Sequence, residues 1–372
     1  WQKLANTLLM QAYVNTNNTS AFNALANGNN FISDSTDDFV WEYAALINDQ
    51  IDARAPGYQS DYTAGGVTSY KSDYLMNAML KDPAGEDGKG DPRRRYYFFR
   101  QNECTPGALK DFTLPADAAG NQCPVDPERL FCSTSPRPAH YPGSEMVYCS
   151  VDNGYWGRDH GFGGGIPPDT FKRTAYGVYP YAGNFDDNRF SSVGLGQGGG
   201  GAGITPIYLA SWSHLMLAEM ALTNGGDAAF HLKNALEISI AKVMSFGSLD
   251  GDIQDTSYIP TSAYVTTYIT NKLTEFNNLG ADKMEVLGEQ HLVAHFGNGS
   301  NSYNFYRRTG YPRTLQWTVE PAPGGFVRSL FYPADEANTN PNVPQKPGVG
   351  VQVFWDNNPP SSAAGTGFPY AN

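Results

Sequence analysis

The sequence predicts a mainly α-helical protein with minor β structure, built from tetratricopeptide-like helix pairs and carrying a long loop-rich insertion. Three observations lead there. Apolar residues recur at helical spacing near the start and again across roughly 204–312. Between about 52 and 203 that periodicity fades, and glycine, proline, asparagine and tyrosine dominate. The totals of 40 glycines and 25 prolines require much of the chain to run as ordered loops. Residues 1–372 therefore read as one domain, with a helical framework at 1–51 and 204–312 around the insertion.

The opening "WQKLANTLLMQAYV" sets Trp1, Leu4, Leu8 and the Leu9/Ala12 pair on one helical face. "DDFVWEYAALINDQI" reads as a second amphipathic helix. The insertion ends in the low-complexity run "GLGQGGGGAG". Helix is then expected from Thr205, with Thr205 as cap, Pro206 in the first turn, and Tyr208, Trp212, Leu215 and Leu222 at helical spacing. "TNGGD" stops it. Asp227 starts the next helix, whose face is Leu232, Leu236, Ile240 and Val243. So short a glycine turn predicts antiparallel packing, in a unit close to a tetratricopeptide pair. A third helix is expected over 263–277. A fourth opens at Asp282, where Glu285 completes a capping box, and runs through Leu287 and Leu292 to Phe296. Beyond Pro312 the chain is irregular again.

Charge narrows the function. The 25 basic and 37 acidic side chains leave a net charge of −12. Such a surface repels phosphate backbones, and Arg93–Arg95 is the one local basic stripe, so nucleic acid is excluded as partner. No apolar run approaches the roughly 18 residues of a membrane-spanning helix. Aromatic residues reach 13%, with 23 tyrosines against 6 tryptophans. A loop tyrosine either anchors its loop on the core or offers its face to a ligand.

Cys104, Cys123, Cys132 and Cys149 lie at intervals of 19, 9 and 17 residues, unlike zinc-ribbon or finger pairs. An even number in an irregular segment reads as two disulfides of undetermined pairing, formed in an oxidising compartment, with free thiols as the other reading. The chain opens on Trp1 with helix already under way. An exported protein needs a leader, so an N-terminal portion is expected to be missing or removed.

The short motifs argue against catalysis. "GLGQGG" (194–199) has dinucleotide-type glycines but lacks the preceding strand and the acidic ribose ligand. His291 and His295 stand four apart, without the glutamate of a zinc protease between them, and read as a packed or solvated pair. "GRDHG" sets Asp159 beside His160 with no nucleophile elbow nearby. Asp250, Asp252 and Asp255 in "SLDGDIQD" resemble half of a calcium loop without its glycine or closing glutamate, which makes calcium a minor option and leaves no cofactor expected.

The C-terminal third presents in order "MLAEMALTNGG", "EQHLVAHFGNGSNSYNFYRRTGYP", "VRSLFYPADEANTNPNV" and "VFWDN". Earlier come "WQKLANTLLM", "DPRRRYYF" and "YWGRDHGFGGGIPPDTFKRTAYGVYPYAGNFD". This succession, covering most of the chain, resembles the SusD/RagB family of outer-membrane nutrient-binding lipoproteins, in its SusD-like branch. There are departures. Asn301 and Tyr303 stand where the family carries an acid and a tryptophan, and Phe305 replaces an acid before the arginine pair. Trp212 lies near a usual glutamate upstream of Glu219. The family's lipid-bearing cysteine and leading helices have no counterpart here.

The resemblance implies a protein held by a lipid anchor on the extracellular face of the outer membrane. It would capture oligosaccharide for a SusC-like TonB-dependent transporter, without catalysis. Peptide or another nutrient in the same system is the alternative, and a secreted glycan hydrolase with dispersed carboxylates the competing class. In "YRRTGYP" the planar heads of Arg307 and Arg308 are expected to stack on tyrosines and bond carbonyls or carboxylates, while Gly310 permits the turn and Pro312 stiffens it. Sugar rings stack on aromatics and their hydroxyls need planar polar partners. The site is therefore expected at Tyr155, Trp156, Arg158, Asp159, Tyr179 and Tyr181, with Tyr58 and Tyr62 as outside possibilities.

Overall fold

A computed structural model describes residues 1–48, 50–103, 154–163, 169–316, 318–320 and 326–356. The four cysteines fall outside them. Among the described residues helices dominate, and β structure is limited to two short two-stranded sheets.

Helices α1 (Gln2–Asn15) and α2 (Thr19–Asn27) form a hairpin. Asn18 caps α2, its side-chain oxygen accepting from the Ala21 amide. The buried face of α1 is Thr7, Met10 and Val14, whereas Trp1, Leu8 and Leu9 are exposed. This corrects the expected face by part of a turn. Met10 and Val14 pack with Phe22, Phe31, Met216 and Met220, so the partner surface chose the stripe.

The segment after α2 is not the expected second helix. Phe39–Glu42 is strand β1, paired antiparallel with β4 (Ile204–Tyr208). Its Phe, Val and Trp suit a strand, and a short apolar run has no decisive period of its own. The same pairing places Thr205 and Pro206 inside a strand, not at a helix start. Helix α6 (Ala210–Asn224) begins after Leu209, and its cap is distant: the Asp38 carboxylate accepts from the Ala210 amide at 2.8 Å.

Within the insertion lie α3 (Pro56–Asp61), α4 (Asp73–Leu80), α5 (Arg94–Tyr97) and the strand pair β2 (Phe98–Phe99) and β3 (Ala175–Tyr176). The glycine run leads into β4, not into a helix. It folds back on 182–184, where a side chain at Gly198 would land on the Gly183 carbonyl.

Helices α6 and α7 (Ala228–Ser245) pack along their lengths across the Gly225–Gly226 turn. Asp227 caps α7 through the Phe230 amide, and Leu232, Leu236, Ile240 and Val243 are buried. Helix α8 (Ser262–Asn278) lies on α7, α9 (Met284–Ala294) on α6 and α8, and α10 (Gly299–Thr309) on α9. A short α11 (Ala334–Thr339) follows. The Asp282/Glu285 capping box does not form. Glu285 instead accepts from the Arg313 amide at 2.8 Å, tying the returning chain to α9.

Two cores result. One is the helix core of Trp212, Leu215, Leu232, Leu236, Ile240, Tyr268, Phe276 and Leu287. The other is aromatic, built from Tyr96, Tyr97, Phe98, Tyr155, Tyr179, Phe185 and Phe246, and docks the insertion onto the helices.

Candidate binding cleft

Most of the tyrosines expected to meet ligand are buried, Tyr155 and Tyr179 in that second core and Tyr58 and Tyr62 in a smaller cluster with Val67, Phe99 and Ala175. Tyr155, Trp156, Tyr179, Tyr58 and Tyr62 expose 1% of their surface or less. The Tyr155 hydroxyl accepts from Arg94, and the Trp156 indole donates to Asp169 at 3.1 Å. Tyr179 stacks on Tyr97 and meets the edge of Phe246, while Tyr58 and Tyr62 stack at 4.3 Å. Asp159 is also buried and accepts from Gln316. Arg158 is half-buried, its guanidinium 4.2 Å over Tyr70. These groups make protein contacts because an insertion with few regular elements needs side chains to bind it down. Of the expected set, Tyr181 alone lines the main cleft.

That cleft has a volume of about 590 Å³. Along it run two aromatic groups. Tyr176, Tyr181 and Phe296 form one, with Tyr176 and Tyr181 edge to face at 4.8 Å. Tyr303, Tyr306 and Phe326 form the other, with Tyr306 and Phe326 edge to face at 5.2 Å. Tyr74, Leu75, Leu292 and Leu315 add apolar surface, and Ser72, His160, Asn298, Ser302 and Gln316 add polar atoms. No lysine, arginine, aspartate or glutamate is among the described lining residues. His295, also on the wall, is kept neutral by burial, which brings its pKa down to about 4.

Local sequence explains the placement. Tyr303 and Tyr306 are three apart on α10 and so share a face. Tyr181 packs over Gly57, where any side chain would collide with its ring. Tyr176 ends β3, and Lys71 sits 3.8 Å over its ring while pairing with Asp61. The useful signal in the sequence is the amphipathic "SYNFYRR" of α10, which runs into the "YRRTGYP" corner.

At that corner the Arg307 guanidinium donates to the Arg328 carbonyl at 2.7 Å and lies 4.7 Å over Tyr303. Arg308 donates to both carboxylate oxygens of Glu219, joining α10 to α6. Gly310 ends α10 at φ 73°, in the left-handed region. Pro312 follows a cis peptide bond and lies against Gly288 of α9.

His295 on the cleft wall and His291 beside it are packed, not solvated. Trp212 stacks on His295 at 4.1 Å, His295 on His291, and His291 on Phe305 at 4.0 Å. Asp250 accepts from the Phe185 amide and pairs with Arg189 at 2.9 Å, and Asp255 caps the turn at 256–258. Among the described residues no group of three His, Cys, Asp or Glu side chains is placed to hold a metal. No described helix is long and apolar enough to cross a membrane.

Neither a family model nor a curated relative matches the sequence. Solved structures do. A SusD homologue from Bacteroides fragilis superposes with a TM-score of 0.54 at 17% identity, over 91% of this chain and 61% of its own. The fold is SusD-like. A SusD-like protein from Bacteroidetes matches with a TM-score of 0.55 at 13% identity, over 95% of this chain and 69% of its own. A chitin-binding SusD homologue from Flavobacterium johnsoniae gives 0.51 at 14%, over 96% and 64%. Two of the matching structures are described as chitin-binding and one, from Bacteroides vulgatus, as an outer-membrane protein involved in nutrient binding. The chain spans about three-fifths of the length of the Bacteroides fragilis homologues.

Proposed function

We propose that this protein captures a neutral oligosaccharide in the aromatic cleft and passes it to a SusC-like TonB-dependent transporter, working on the extracellular face of the outer membrane from a lipid anchor. The observation that carries this reading is the pairing of abundant aromatic surface with the lack of formal charge among the described lining residues. Sugar rings present apolar faces to such walls and hydroxyls to groups like Asn298, Ser302 and Gln316. A peptide would bring charged termini with no opposite charge to meet them, which disfavours the alternative ligand. The chitin-binding neighbours support a glycan substrate class.

Isothermal titration with a panel of neutral oligosaccharides, chitin fragments included, tests the proposal. At least one should bind saturably. Tyr303→Ala should weaken it about fivefold or more, corresponding to the ~1 kcal/mol typical of an aromatic contact. Binding of peptides only, or an affinity indifferent to Tyr303, refutes the reading.

A further inference from the structure

We infer that a second pocket, sharing no lining residue with the cleft, is a site for a carboxylated sugar of the uronic-acid class. It encloses about 310 Å³, within the size range of small-ligand sites. Its walls come from the stretch before and into α5 and from the approach to α8. Tyr258, Ile259, Pro260 and Tyr264 supply ring and apolar surface; Arg94 and Arg95 supply guanidinium groups.

The charge arrangement points to an anion. Arg94 and Arg95 line the pocket with Arg100 behind them, and the carboxylates within reach, Asp186 and Asp255 beside Arg95 and Asp91, Asp82 and Glu86 beside Tyr264, leave Arg94 without a bonded carboxylate among the described residues. Asp186 accepts from Arg100 at 2.6 and 3.0 Å, leaving Arg95 3.5 Å from the same carboxylate. Arg95 turns to the Asp186 carbonyl and Asn188, each at 2.8 Å, and lies 4.2 Å over the Tyr258 ring. Asp91, the one carboxylate among the described lining residues, is held by Arg93 at 2.6 Å and by the Tyr268 hydroxyl at 2.8 Å.

Arg94 stands apart. It is 6% exposed, bonds only neutral oxygens of Tyr155 and Lys89, and keeps its buried Nε without a hydrogen-bond partner among the described residues. A buried guanidinium without carboxylate is costly, and a planar anion presented edge-on is the partner its geometry suits. Burial and the neighbouring Arg94 and Arg100 also bring the Arg95 pKa down to about 10, a strain that an incoming anion relieves. The tyrosine and proline surface around this charge selects an anion carried on a ring over a bare inorganic ion.

The experiment is titration of the purified protein with d-glucuronate, d-glucose and inorganic sulfate, followed by calorimetry and by NMR of the tyrosine rings. Glucuronate should saturate and shift the Tyr258 and Tyr264 signals, with glucose and sulfate each at least tenfold weaker. Arg94→Gln should lose tenfold or more for glucuronate. The cleft variant Tyr303→Ala should leave glucuronate affinity unchanged, which separates this site from the neutral-glycan proposal. Absence of saturable glucuronate binding overturns the inference, as does glucose or sulfate binding equally well, or an affinity sensitive to Tyr303 but not to Arg94. Should circular dichroism show Arg94→Gln unfolded, Tyr258→Leu decides by the same tenfold criterion.

Discussion

Arg93→Met removes a fully buried cation at the junction of the insertion and the helices. Its guanidinium donates to both Asp91 oxygens at 2.9 and 2.6 Å, to the Ser239 hydroxyl of α7 at 2.9 Å, and to Gln290 of α9 at 2.7 Å. Methionine nearly fills the same length, so the main loss is electrostatic. Removing one partner of a buried ion pair typically costs about 3–5 kcal/mol, because the other charge is left uncompensated. Asp91 would keep two donors, the Arg93 amide and the Tyr268 hydroxyl, each at 2.8 Å. That places the expected loss near the lower end, about 3 kcal/mol, a large share of the 5–15 kcal/mol typical of a folded domain.

Urea denaturation followed by circular dichroism reads it as a lower midpoint at unchanged slope. Arg93→Met combined with Asp91→Asn should cost less than the two singles summed, with a coupling of at least ~1 kcal/mol. Acidity gives a second check. Burial alone would raise the Asp91 pKa, yet the charge and hydrogen bonds of Arg93 outweigh it and hold the carboxyl below its ordinary value. A depressed carboxyl stabilises above its unfolded pKa of about 4 and loses that contribution as pH falls through the folded value. The gap between wild type and Arg93→Met should therefore narrow in acid. A loss under about 1 kcal/mol at neutral pH, or strict additivity in the double variant, refutes the reasoning.

Three further outcomes are expected. Gly288→Ala should destabilise by about 1 kcal/mol and at most ~2 kcal/mol: helix propensity gains ~1 kcal/mol, but the new methyl meets the backbone of Tyr311 and Pro312 at 2.7 and 2.6 Å, overpacking that costs about 1–3 kcal/mol; an unchanged melting temperature counts against it. Burial, reinforced by Glu275, Asp82 and Glu285 against the pull of Lys272, raises the Glu289 pKa to about 7. A raised carboxyl costs stability once ionised, so Glu289→Gln should stabilise by up to ~1 kcal/mol at pH 8, a figure discounted for its partial exposure, with no gain at pH 4 in urea melts. Burial lowers the His295 pKa to about 4, so its ring signal in NMR should show the neutral form at pH 5.5; because the unfolded chain takes up that proton near 6.5, this residue's contribution declines between about pH 6.5 and 4 by about 1.4 kcal/mol per pH unit.

The helix that follows Asp227 could be read from sequence because its cap, its stop and its Leu232–Val243 stripe lie within one local window. The same holds for α8 and for the Gly310 terminus of α10. Strand β1 could not be read, since its hydrogen bonds are made to residues more than 160 positions away. Nor could the α6 cap, which arrives from Asp38. For the site, composition foretold aromatic surface but not which rings would be spent on the core. Tyr155 and Tyr179 are indistinguishable in local sequence from Tyr181, yet two are buried and one reaches the cleft.

By itself, then, the sequence determined the helical class, the α6–α7 turn, the acidic balance and the SusD-like order of motifs. Tertiary structure alone decided which face of α1 is buried, where β1 pairs, and that the cleft takes its walls from α10 and Tyr176–Tyr181. The reason is range. Caps, turns and 3.6-residue stripes are satisfied by neighbours along the chain, whereas strand pairing and the burial of an amphipathic ring depend on partners that only folding brings near.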